Sequence, residues 1–266
     1  STLPLMHLAF LSPFDPADVG SWSGIPYHMT QAFAQHVDRL SIVAPLDTTP
    51  RLARGLRRLE NRARGYTYSS VHTDDAAARM ADHASLEVRR LRPDAVIGPS
   101  SLPLGGIEAA CPVAFWTDAT FESSLFFYAQ YGLLSPRSIA AGHRVERAGI
   151  QRADLAVYAS DFAAESAVNY YGAAPEAVRV VPLGANLTEP PAVAEVIAAA
   201  EARSLDRCTL LFLGVEWVRK GGDVAVLVAD ALNAAGLPTD LHVVGCEPEL
   251  DRPRPYVHVH GFVSKA

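Results

Sequence analysis

The most constraining feature of this chain is a repeated alternation. Short apolar runs at residues 3–11, 40–44, 94–97, 113–116, 155–159 and 178–181 give way to loops, and most of these loops lead into helical patterns. Strands separated by helices line up side by side in one direction, so an α/β fold with a doubly wound parallel sheet is predicted. Ligands of such sheets sit beyond the carboxyl ends of the strands, which makes the loops after the strands the candidate binding edge.

Residues 186–207 change character. Thr188-Glu189-Pro190-Pro191 breaks regular structure, and an alanine-rich helical stretch with few large apolar residues follows. The predicted organisation is a first domain at 1–186, a linker at 187–207 and a second domain at 208–266. The second domain opens with an apolar run at 208–213, ended by Gly214. A loop carries Arg219 and Lys220, then Gly221 and Gly222, and then a helix at 221–235. Its apolar residues Val224, Leu227, Val228, Ala231, Leu232 and Ala235 are expected to share the core face. A helix start with free N–H groups, two glycines and two adjacent cations suits a phosphate or diphosphate. A basic strand-to-helix loop that binds nothing has the same composition, so both readings stand at this point.

Other loops carry further candidates. Gly24, in Ser23-Gly24-Ile25-Pro26, follows the first strand and opens a helix for which Pro26 suits an early position; it is either a binding-edge glycine or an ordinary turn glycine. Asp118 stands just past the run at 113–116, as a functional carboxylate or as a cap or turn residue. The arginine-rich helix at 51–64 reads as a solvated face, with contact to an anionic acceptor as the alternative. His258 and His260 alternate with valines, so they point the same way. With no third ligand in view, a polar strand face is favoured over a metal site.

Composition narrows the classes. A hydrophobic share of 49% supplies a sizeable core, and a net charge of −6 gives no general attraction to nucleic acid or to acidic lipid headgroups, which argues against nucleic acid as a partner. Cys111, Cys208 and Cys246 are too sparse for a disulfide framework and lack a Cys-x-x-Cys pair, so they read as small buried residues in a reducing cytosol. No apolar run approaches the roughly 20 residues of a bilayer span, and the N-terminus has no charged signal-peptide start. A soluble cytoplasmic protein is expected.

Three segments of the second domain, Leu211-Phe212-Leu213-Gly214 with Arg219-Lys220-Gly221-Gly222, Leu241 through Cys246, and His260 through Lys265, together resemble the nucleotide-sugar domain of family-4 glycosyltransferases, which have the GT-B fold. In the first domain Ser23-Gly24-Ile25-Pro26 is similar to that family's glycine loop, and the stretches 152–160 and 178–186 to the pattern closing its N-terminal domain. The resemblance spans nearly the whole chain. It implies two Rossmann-like domains and transfer of a sugar from a nucleoside-diphosphate-sugar donor to a hydroxyl acceptor, with retention of configuration and no essential metal. It further implies that Arg219 and Lys220 hold the donor diphosphate and that Gly24 lets the phosphate approach the first domain. Gly245, Cys246, Phe262 and Val263 would form the edge holding the base, and Asp118 would face the acceptor or the transferred sugar. Lys220 would stabilise the leaving diphosphate.

Two departures qualify the resemblance. Many members have an arginine shortly after the strand-ending glycine, where this chain has Val215 and Glu216, so Arg219 is expected to supply that charge. The paired-glutamate segment that contacts donor sugar and ribose is absent before Ala266. The second domain is therefore expected to be incomplete, the chain to be a fragment with weak or no turnover, and its uncovered strand faces to favour self-association. A GT-B-fold nucleotide-sugar epimerase and a non-catalytic nucleotide-sugar-binding module are the alternatives. A dinucleotide-dependent dehydrogenase is disfavoured because no G-x-G-x-x-G follows a strand.

Overall fold

The computed structural model describes residues 6–47, 50–125, 127–128, 131–187 and 189–263, with Arg51 described by its backbone alone. The chain divides into two compact units, Ser1–Leu187 and Thr188–Ala266.

The first unit is built on a six-stranded sheet in the order β2-β1-β3-β4-β5-β6. Its strands are β1 (His7–Leu11), β2 (Arg39–Val43), β3 (Ala95–Gly98), β4 (Val113–Thr117), β5 (Leu155–Tyr158) and β6 (Val178–Val180), and every pairing is parallel. Residues 3–5 of the expected first strand lie outside the described residues. The helices are α1 (Ile25–Ala34), α2 (Arg51–Ala63), α3 (Asp74–Leu91), the short α4 (Phe121–Leu125), α5 (Pro136–Arg152) and α6 (Asp161–Asn169).

Local sequence explains the helix starts. Thr73 Oγ1 accepts from the Ala76 N–H and Asp74 and Asp75 occupy the first turn of α3, with Arg89 and Arg90 in the last, so charges complement both ends of the helix dipole. Ser135 and Ser160 cap α5 and α6 in the same way. Ala9, Leu11, Val96, Val113, Phe115 and Tyr158 from the strands pack with Met80, Val88, Val145 and Ile150 from the helices to form the core. In α1 the buried face is Pro26, Met29 and Thr30, while Ala32 is exposed. Between α2 and α3 the chain makes a single parallel bridge, Thr67 to Leu134.

The second unit begins with α7 (Val193–Glu201), whose residues are all exposed. A three-stranded parallel sheet follows, β7 (Cys208–Leu213), β8 (Thr239–Val244) and β9 (Val257–Val259), with α8 (Gly222–Ala234) between β7 and β8. Phe212, Leu241 and Val243 pack on Val226 and Ala229. The expected core face of α8 is therefore corrected. Val224, Leu227 and Val228 are exposed, and Gly222, Val226 and Ala229 are the buried residues. α8 is apolar over much of its circumference, so spacing alone allowed two faces; the sheet takes the one with smaller residues, which permits close approach.

Candidate functional site

In the second unit the candidate residues converge on the carboxyl edge of β7-β8-β9. β7 ends at Gly214, whose N–H donates to the Val244 carbonyl at 2.9 Å. Gly245 follows β8 with φ of 106°, donates to the Gly261 carbonyl at 2.7 Å, and would place a Cβ 2.7 Å from the Gly214 carbonyl oxygen. Only glycine fits that conformation and that contact. Gly214, Gly245 and Gly261 thus tie the ends of the three strands together through main chain.

The turn into α8 is compact. The N–H groups of Lys220, Gly221 and Gly222 donate back to Glu216, Val218 and Trp217 carbonyls. Gly221 is the left-handed N-cap of α8 at φ 73°. Trp217 stacks against Phe212 at 4.9 Å, fixing the turn to the core. Lys220 is exposed; a Cβ built at Gly214 would lie 3.1 Å from its Cγ, so its stem crosses the end of β7. Its ammonium has no ion-pair partner among the described residues. Arg219 is placed differently, with Nε donating to Glu216 Oε2 at 2.6 Å in a half-buried pair. Cys246 packs against the second core, whereas Phe262 and Val263 are exposed beside Gly261. Asp230, on the flank of α8, is gripped by Arg254 at 2.9 Å, by Arg252 and by the Tyr256 hydroxyl. These partners hold its carboxyl well below the usual range, with Arg254 the largest cause. This clamp, whose partners lie 22 to 26 positions from Asp230, had no local signature in the sequence.

His258 and His260 share a sheet face with a third histidine, His242 of β8, stacked on both at 4.9 and 5.2 Å. His258 Nε2 lies 2.9 Å from Asp240 Oδ1. No group of three or more His, Cys, Asp or Glu side chains among the described residues is placed to hold a metal ion. The cysteines are free and half-buried rather than buried.

In the first unit, the loop after β1 runs into a tight turn at Ser21–Gly24 in which Trp22, Ser23 and Gly24 are all left-handed, with φ of 48°, 55° and 84°. Two non-glycine residues in that region carry strain of about 1–3 kcal/mol each. The turn is held by packing of Trp22 on Phe14 and by Asn186 Nδ2, which donates to the Ser23 carbonyl at 3.0 Å. A Cβ at Gly24 would stand 3.2 Å from the Val19 carbonyl oxygen.

Asp118 is exposed just beyond β4. The start of α4 is closed instead by Thr120 and Ser123, which exchange backbone and hydroxyl hydrogen bonds, so Asp118 is not a cap. Behind α4 lies Glu146, 4% exposed, whose carboxylate accepts from Ser101 Oγ at 2.8 Å. Burial pushes its pKa up to about 7. The hydroxyl of Tyr158, buried in β5, has no hydrogen-bond partner among the described residues, and its pKa is raised by burial and then by Glu146.

A cleft of about 710 Å³ opens among α2, α3 and α5, lined by Arg57, Arg64, Tyr66, Tyr68, Asp74, Asp75, Arg137 and Arg144. Arg57 pairs with Asp75 at 2.9 Å and Arg144 with Asp74 at 2.7 Å, whereas Arg137 makes no ion pair with a described residue. The bond from Arg144 lowers the Asp74 pKa. The cleft contains the starts of α3 and α5, the helices that lead into β3 and β5, which sets it at the carboxyl edge of the sheet. Four residues of the arginine-rich stretch, Arg57, Glu60, Asn61 and Arg64, therefore line a cavity as well as facing solvent.

No protein-family model and no curated protein matches the sequence. Among solved structures, the chain is similar to sucrose-phosphate synthase from Thermosynechococcus elongatus, at 13% identity and a TM-score of 0.55, over 97% of this chain and 71% of that one. A lipopolysaccharide outer core galactosyltransferase, WaaB, in its apo form overlaps over 97% and 69% at 11% identity with a TM-score of 0.47. A glycosyltransferase from Rickettsia africae ESF-5 does so over 97% and 69% at 13% identity with a TM-score of 0.46. At these identities the likeness concerns fold. The fold is α/β of the GT-B class, with two Rossmann-like units, the second carrying three strands against six in the first.

Proposed function

We propose that the chain belongs to a family-4-like retaining glycosyltransferase that moves a sugar from a nucleoside-diphosphate-sugar donor to a hydroxyl acceptor without an essential metal. One observation carries this reading: the exposed Lys220, without an ion-pair partner among the described residues and with its stem laid across Gly214, stands beside the two glycines that open α8. A diphosphate there would meet a cation, the positive end of the helix dipole and no side-chain obstruction. Lys220 would offset the charge that builds on the leaving diphosphate as the glycosidic bond breaks. Arg219, neutralised in part by Glu216, would add to the field rather than contact the ligand alone. The main-chain rim at Gly245, with Cys246, Phe262 and Val263, would hold the base. Gly24 would admit the donor phosphate, and Asp118 would face the acceptor. The fold shared with sucrose-phosphate synthase supports the class of reaction, since that protein's name describes a glycosyl transfer.

Calorimetric titration of the chain with nucleoside diphosphates tests the assignment. Binding by the wild type that falls at least about tenfold in Lys220→Ala is expected for the loss of one charge-assisted contact. Equal binding by both proteins sinks the diphosphate site.

A further inference from the structure

α2 turns its polar side to the protein and its apolar side to water. Arg54 reaches Asp47 at 3.4 Å, Arg57 reaches Asp75 at 2.9 Å, and Ala53, Arg54 and Asn61 are its partly covered residues among those described. Leu52, Leu56 and Leu59, at spacings of four and three, form one stripe and are 84%, 70% and 67% exposed. A helix packed on a core has the opposite orientation. Along one margin of the stripe run Arg58 and Arg62, one turn apart, exposed and without an ion-pair partner among the described residues. The helix holds five arginines and one glutamate, in a chain whose net charge is −6.

The two features together select the occupant. A phosphodiester backbone would suit the arginines but offers no apolar surface to three leucines. A second copy of the chain meeting this face would set arginine against arginine. The interface of an anionic bilayer satisfies both halves, with leucines in the acyl boundary and guanidinium groups at the headgroup phosphates. We propose that α2 docks the chain in the plane of an anionic membrane surface. Arg57 and Arg64 line the cleft described above, so docking sets that cleft near the lipid headgroups. This inference is independent of the sugar-transfer reading.

Flotation of the full chain with vesicles tests it. The wild type is expected to float with vesicles of phosphatidylglycerol and phosphatidylcholine in equal parts, to stay behind with phosphatidylcholine alone, and to be released by salt. Leu56→Glu, and Arg58→Glu combined with Arg62→Glu, each cut the bound fraction about tenfold. Leu59→Gln, which adds no charge, has a smaller effect in the same direction. The leucines contribute nothing to the core, so an unchanged thermal midpoint is expected for these variants. Failure of the wild type to float with the anionic vesicles, or equal flotation of Leu56→Glu, overturns the proposal. So does light scattering that finds a dimer abolished by Leu56→Glu, because a second copy would then be the occupant.

Discussion

The indole of Trp217 fills the space that a side chain at Gly222 would need: a Cβ built on Gly222 stands 2.2 Å from Trp217 Cε3. Glycine is required here by contact rather than by backbone angle. Gly222→Ala is expected to destabilise the second unit by about 1–3 kcal/mol, the usual cost of forcing an extra carbon into a packed site. Chemical denaturation of the single variants and of Gly222→Ala with Trp217→Ala measures the coupling. The double variant is expected to lose less than the sum of the singles, because removing the indole opens room for the methyl group. Strict additivity would contradict the contact.

Glu146 makes stability depend on pH in a definite direction. Its folded pKa, about 7, lies above its ordinary value because burial disfavours the charge. The stability it contributes is fully present below the unfolded carboxyl pKa and is lost as pH rises through the folded one. Glu146→Gln, which keeps the shape and removes the titration, is expected to match the wild type below about pH 4.5 and to exceed it by up to roughly 3 kcal/mol above pH 7. Urea denaturation at several pH values reads the crossing. A constant difference across the range would show that the carboxyl does not titrate as assigned.

Asp230 works in the other sense. Arg254, then Tyr256 and Arg252, depress its pKa, so its contribution is present above the unfolded carboxylate pKa and disappears as pH falls through the folded one. Arg254→Ala and Asp230→Asn are each expected to lower the stability of the second unit at neutral pH. Their deficit relative to wild type should narrow once acid protonates the wild-type carboxylate. Hydrogen exchange along α8 and β9 would report the loss locally; protection unchanged in both variants would contradict the clamp.

The alternation of apolar runs and helical patterns made the two parallel α/β units legible, because strand and helix periodicities are local properties of the chain. What escaped was orientation. α8 is apolar on more than one face, so spacing could not tell Val226 and Ala229 from Leu227 and Val228. α2 carries a clean leucine stripe, and periodicity could not reveal that the stripe points outward. The Asp230–Arg254–Tyr256 clamp and the Glu146–Ser101 pair, which are 45 positions apart, arise from tertiary packing. The candidate site was legible as a place, the loops beyond the strands, because topology fixes that edge. The different settings of Arg219, held by Glu216, and of Lys220, exposed over the end of β7, were not, since they depend on how one turn closes.

The joint between β7, β8 and the segment after β9 is made wholly of peptide groups, at Gly214, Gly245 and Gly261. Amides and carbonyls there hold their positions whichever side chains grow around them. Phe262 and Val263, both exposed, can be exchanged without shifting that platform. Under the proposed function, directed libraries confined to those two residues would re-tune ligand preference while leaving the anchor untouched.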